Sequence, residues 1–77
     1  MNKQRRKELE RALLLLGEAR DIIESVRDDE QDAYDNMPES LQYSERGETM
    51  SECVDTLDDA LSSIDDFSES ISDIAFG

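Results

Sequence analysis

The sequence contains no histidine and no tryptophan, one cysteine, one proline and three glycines, and only 5% of its 77 residues are aromatic. Without histidine, and with no lysine after Lys7, the chain lacks the side chains most often used for acid–base catalysis near neutral pH. A single cysteine, Cys53, cannot form an intramolecular disulfide, which is typical of a reducing compartment. We therefore expect a cytoplasmic binding protein and not an enzyme.

Recognisable metal and cofactor motifs are also missing. Neighbouring acids such as Asp58 with Asp59 fall in a helical pattern, whereas an EF-hand loop needs a central glycine and ligands at alternate positions. A di-iron bundle normally uses Glu-x-x-His pairs, and histidine is absent. We expect no catalytic residue, no cofactor and no bound metal.

Long hydrophobic runs are absent as well. The four leucines at residues 13–16, with Ala12 before them, form a run that is far shorter than a signal-peptide core or a membrane span. We therefore expect a soluble intracellular protein with no membrane partner.

Charge of one sign dominates what is present. The chain has 21 acidic and 8 basic residues, a net charge of -13, which disfavours direct binding to nucleic acid or anionic membranes and favours a basic partner. The balance is +2 in residues 1–27 and -15 in residues 28–77. We expect Lys3, Arg5, Arg6 and Lys7 to neutralise Asp65, Asp66, Glu69 and Asp73 in an antiparallel hairpin.

Two stretches of heptad spacing flank a break at Pro38 and Gly47 and predict two long helices. We predict an all-α antiparallel two-helix hairpin, coiled-coil-like, with helices at about 2–35 and 45–75 and a turn at about 36–44. The predicted buried positions are Leu9, Ala12, Leu16, Ala19, Ile23, Val26, Ala33 and Met37 in the first helix, and Met50, Cys53, Leu57, Ala60, Ile64, Phe67, Ile71 and Ile74 in the second.

Some apolar side chains fall outside these two seams. Because a chain this short buries little surface, and because Leu14, Leu15 and Ile22 lie off the first seam, we predict self-association through these three residues. The expected assembly is a homodimer that forms a four-helix bundle.

A row of acids follows the second predicted helix at steps of three and four, offset from the apolar seam so that it points away from the core. No basic residue follows Arg46, although exposed helix faces usually mix both signs. The row is either a solubilising surface or a binding surface for a basic partner. Its members are Glu48, Glu52, Asp55, Asp59, Asp66, Glu69 and Asp73.

The predicted turn and the helix ends beside it carry a net charge of -7 from Asp28 to Glu48. Acids late in a helix oppose its dipole, so this tip is a second candidate for partner binding, although a plain solubility patch is equally consistent. Apolar side chains at the tip either close the core or anchor a partner. The candidate tip residues are Asp28, Asp29, Asp32, Asp35, Glu39, Leu41, Tyr43, Glu45 and Glu48.

The segment DDEQDAYDNMPESLQYSERGE, between two acidic helices and preceded by NKQRRKELERA, resembles a family of small uncharacterised bacteriophage and prophage proteins. The distinctive part runs from Asp35 to Arg46. The resemblance implies a location in the host cytoplasm but no defined activity. Small acidic phage proteins often act on host proteins, and some imitate nucleic acid, so the family context agrees with the charge distribution.

Two hypotheses follow from the sequence. In the first, the protein binds a basic, nucleic-acid-binding host or defence protein stoichiometrically, as a DNA mimic or inhibitor. In the second, it is an assembly module that self-associates through apolar stripes, and its acids confer solubility.

Overall fold

The computed structural model describes all 77 residues and is all-helical, as predicted, with no strand. It consists of α1 (Lys3–Asp35), the short α2 (Glu39–Gln42) and α3 (Glu45–Phe76). Arg20 of α1 pairs with Asp65 of α3, and Arg27, further along α1, pairs with Asp58, which comes earlier in α3. The two long helices are therefore antiparallel. The result is an antiparallel hairpin about 58 Å long and 15 Å across.

Side-chain caps fix where the two long helices begin. The Asn2 side chain accepts a hydrogen bond from the backbone N–H of Arg5 at 2.9 Å. Ser44 does the same for Gly47 at 3.3 Å. Each cap satisfies one of the backbone donors that a helix start leaves unpaired.

The tip is held by one glutamine and one glycine. Gln42 Nε2 donates to the carbonyl of Tyr34 at 3.0 Å and lies 3.4 Å from that of Met37, which ties α2 to the end of α1. Gly47 is buried, and a Cβ there would lie 2.3 Å from the Gln42 carbonyl oxygen. Glycine therefore allows the backbone of α3 to approach α2 closely.

The buried side of α3 differs from the predicted seam by one position. Val54, Leu61 and Ala75 are the buried apolar residues, and none of them belongs to the predicted seam. Cys53 is exposed, and Phe67 and Ile74 are 61% and 51% exposed, so their predicted burial is wrong. The apolar stripe of α3 is three heptad positions wide, and α1 covers only part of it.

The same rotation occurs in α1. Leu9, Leu16 and Ile23 lie in the seam and are half-buried, but Ala19, Val26 and Ala33 are exposed, contrary to prediction. A neighbouring heptad position of α1 faces α3 instead, and its residues in the hairpin are half-buried. That position holds Leu13, Arg20, Arg27 and Tyr34.

The core of the hairpin is thin. Only four residues are buried, and no large side chain is fully enclosed. The Cα radius of gyration is 17.3 Å, against about 11.5 Å for a compact chain of this length. Neither long helix has a stretch apolar enough to cross a bilayer.

The two internal glycines offer a matched test of this architecture. Gly47→Ala should lower the free energy of unfolding because its Cβ meets the α2 backbone, whereas Gly17→Ala adds a Cβ in open space and should raise it by about 0.5–1 kcal/mol. Urea unfolding followed by circular dichroism measures both. Equal effects of the two substitutions would contradict the close packing of α2 on α3.

Candidate protein-interaction surfaces

The acidic row lies on the outer side of α3. All seven members are exposed, and none forms an ion pair. Glu52, Asp59, Asp66 and Asp73 lie about 160° around α3 from the buried position of Val54 and Leu61. The other three members, Glu48, Asp55 and Glu69, lie about 100° from that position, on the flank of the helix. The row therefore presents carboxylates to solvent without compensation from within the chain.

The tip residues are all exposed; Glu39 and Leu41 lie in α2, Tyr43 follows it, and the others lie in the adjoining parts of α1 and α3. Leu41 is 49% and Tyr43 is 76% exposed, so neither closes the end of the core, whereas Met37 is half-buried. Among the tip acids, Asp28 contacts Arg27 at 3.3 Å and Asp35 accepts a hydrogen bond from Gln31 at 2.9 Å. The tip thus combines apolar side chains with a surplus of carboxylates.

The ion pairs of the hairpin lie midway along it. Arg20 pairs with Glu24 and, at 2.7 Å, with Asp65, while Arg27 pairs with Asp58 at 2.8 Å. None of Lys3, Arg5, Arg6 and Lys7 forms an ion pair. The prediction that they neutralise Asp65, Asp66, Glu69 and Asp73 by direct contact is therefore wrong. Arg20 and Arg27 are seven residues apart, and that spacing within an apolar heptad was the signal the sequence reading missed.

These pairs shift proton affinities in the expected directions. Hydrogen bonding from Arg20 lowers the pKa of Asp65 from its ordinary value of 3.8, partly offset by desolvation. Hydrogen bonds to Asp65 and Glu24 raise the pKa of Arg20, and a hydrogen bond to Asp58 raises that of Arg27. The charged forms of both partners are thus favoured in the folded hairpin.

Exposed apolar side chains form a further feature. Leu14, Leu15 and Ile22, the predicted self-association residues, are 72%, 54% and 66% exposed. Leu15 and Ile22 occupy one heptad position, whereas Leu14 shares its position with Asp21 and Asp28 on another side of α1. The structure therefore does not bring the three together on one surface.

Grooves on the hairpin are shallow and their chemistry differs. One is lined by acidic and polar residues of α1 alone: Asp21, Glu24, Ser25, Asp28 and Asp29. Another lies between the long helices and mixes apolar, polar and acidic residues: Val26 and Glu30 of α1, and Thr49, Glu52, Cys53, Thr56 and Leu57 of α3. No cluster of three cysteine or carboxylate side chains is placed to hold a metal ion.

Comparison with known proteins adds no assignment. No protein-family model matches the chain, and neither does any curated protein or solved structure. The functional argument therefore depends on these surfaces.

The Arg20–Asp65 pair predicts a pH-dependent contribution to stability. Because the pKa of Asp65 is lowered by folding, its contribution is complete above pH 3.8 and is lost as the pH falls through the lowered value. Asp65→Asn should therefore reduce the melting temperature at pH 7, and its difference from the native protein should shrink in acid. Thermal unfolding from pH 7 to pH 2 measures this difference.

Asp66→Asn is the matched control, since it removes one carboxylate at the next position, where no ion pair forms. If both substitutions changed the melting temperature equally at every pH, the ion pair would contribute nothing.

Proposed function

We propose that this protein binds a basic surface on a nucleic-acid-binding protein, through the acidic row of α3, and so blocks access of nucleic acid to that surface. The observation that carries the proposal is the row itself: seven exposed carboxylates without one intramolecular ion pair. Uncompensated like charges on one helix destabilise it. A basic partner supplies the missing counter-charges.

The dimensions of α3 suit this role. From Glu48 to Asp73 the helix rises about 38 Å at ~1.5 Å per residue. The seven acids of the row give about one charge per 5–6 Å, within a factor of two of the ~3.4 Å spacing of phosphates along one DNA strand. Asp58 and Asp65 of the same stretch are paired with arginines and do not add to the row. A groove that accepts a phosphate backbone would therefore meet a comparable line of negative charge.

In this proposal the tip orients the protein on its partner. Charge attraction alone raises association rates without fixing a pose. Leu41 and Tyr43 are exposed beside Glu39 and Glu45, and an aromatic anchor within a charged rim is the usual form of a binding hot spot. Binding is stoichiometric in this proposal, and the partner remains chemically unchanged.

The resemblance to small acidic phage proteins supports the same direction. If the chain is phage-encoded, a host or defence protein with a basic nucleic-acid groove is the natural target class. This part of the proposal rests on family context and charge, not on a matched relative.

A second candidate function is favoured by a different observation. Ten large apolar side chains are exposed on a 77-residue chain, which is typical of a surface that is covered in an assembly. In this alternative the protein is a structural module that self-associates as a homodimeric four-helix bundle, and the acids keep it in solution.

A charge-matched pair of triple variants tests the first proposal. Asp59→Asn, Asp66→Asn and Asp73→Asn together remove three carboxylates from the row, whereas Glu8→Gln, Glu10→Gln and Glu18→Gln remove three exposed carboxylates from α1. We expect the row variant to bind the partner at least about tenfold more weakly, with a shallower dependence on salt, and the α1 variant to bind nearly as the native protein does.

The partner is obtained first, by affinity capture from nuclease-treated bacterial lysate with duplex DNA as competitor. The proposal requires a basic protein that DNA displaces. Equal weakening by both triple variants would indicate a net-charge effect without a site, and no weakening by either would exclude the row.

A further inference from the structure

One long side of the hairpin carries no charge between Leu15 and Val26 of α1 and between Cys53 and Ile74 of α3. Carboxylates border it toward the tip, where Asp29 holds the same heptad position as Leu15 and Ile22 and where Glu30 and Glu52 line the groove between the helices. The Arg20–Asp65 and Arg27–Asp58 pairs mark one side, and the groove that brings Val26 next to Cys53 marks the other. Heptad spacing continues that second side along both helices, and the positions between its larger residues hold alanine, serine or threonine. Its larger residues are Leu15, Ile22, Val26, Cys53, Phe67 and Ile74, all exposed. We call it the uncharged side.

Next to this side lie apolar residues that the hairpin covers only in part. Leu16 and Ile23 of α1, and Leu57 and Ile64 of α3, are half-buried. In each helix they occupy the heptad position between the contact with the other helix and the uncharged side; in α1 the next residue of that position toward the tip is the half-buried Glu30. A helix in a four-helix bundle has this three-position apolar face, with the middle position innermost.

We propose that the uncharged side is the docking surface for a second copy of this chain, and that two hairpins stacked through it form a four-helix bundle. This inference rests on the assembly role given above as the second candidate function and is independent of the acidic row. It also changes the interface expected from sequence: Leu15 and Ile22 belong to it, and Leu14 does not.

The available area meets what a stable dimer needs. From Cys53 to Ile74 the surface is about 32 Å long at ~1.5 Å per residue, and two packed helices are roughly 20 Å wide. That gives on the order of 600 Å² per copy, or ~1,200 Å² in the pair, the lower bound for a specific stable interface.

The single hairpin exposes more surface than a compact protein of its mass. Its accessible area is 5737 Å², whereas a compact protein of 8.8 kDa exposes about 4,800 Å². Pairing removes much of this excess and encloses the half-buried middle positions.

Charge favours a second copy over a membrane as the occupant. The row positions Asp59, Asp66 and Asp73 border the uncharged side along α3, and they would be driven against anionic headgroups if that side lay on a bilayer. In a stack of two hairpins the same carboxylates stay at the solvent-exposed edge.

A composition-matched pair of double variants tests the interface. Leu15→Gln with Phe67→Gln removes two residues of the uncharged side, whereas Leu14→Gln with Phe76→Gln removes the same residue types, 72% and 65% exposed, from elsewhere. In sedimentation equilibrium we expect twice the chain mass for the native protein and the control. The uncharged-side variant should dissociate at least about 100-fold more readily.

Two further measurements use only the native protein, so they do not depend on whether the double variants fold. The melting temperature of the native protein should rise with protein concentration, as it does for a dimer. The exposed Cys53 thiol should react more slowly with a bulky thiol reagent as concentration rises, because docking covers it.

A native chain that stays at monomer mass up to about 0.5 mM, with helical circular dichroism and concentration-independent melting, would overturn the proposal. So would equal dissociation of both double variants. Loss of partner binding in the acidic-row variants leaves these readings unchanged, so failure of one proposal is distinguishable from failure of the other.

Discussion

Two helices lying side by side can enclose only the side chains between them, and this limit governs the structure. Each helix here carries an apolar stripe wider than that contact, so three apolar residues of α3 are buried and the rest of its stripe is left half-covered or exposed. Burial is the main favourable contribution to folding. A hairpin with this little burial depends more than a compact domain does on its helix caps and on the packing of its tip.

At the tip and along the contact between the two long helices, small residues let the backbones pack closely. Gly47 lets α3 start against α2, and Ser51, Ser68 and Ser72 lie along the same side of α3 with low or moderate exposure. Small residues bring helix axes closer but bury little apolar area. Arg20 and Arg27 then bridge the helices at the seam edge, where their stems add apolar cover and their guanidinium groups fix the register.

The number and type of the long elements could be predicted from the sequence because hydrophobic periodicity and helix-breaking residues act locally. Heptad spacing specifies helices, and Pro38 marks where they are interrupted. Which part of a wide stripe faces the other helix is a property of the pair. In α3 the two candidate rows, one containing Phe67 and the other Leu61, have the same spacing and similar hydrophobicity, so periodicity could not choose between them. The exposure of Cys53 and the arginine pairs followed from that same choice.

Placing the acids on the exposed surface makes strong charge compatible with the proposed self-association. A chain of net charge -13 repels its own copy at long range, but at physiological salt that repulsion is screened beyond about 8 Å. The acidic row is exposed, and the uncharged side has no carboxylate among its larger residues or the positions between them; Asp29, Glu30 and Glu52 adjoin it only toward the tip. Apolar contact and electrostatic attraction to a basic protein can therefore operate on different surfaces of one bundle, and pairing would display two acidic rows where one hairpin displays one.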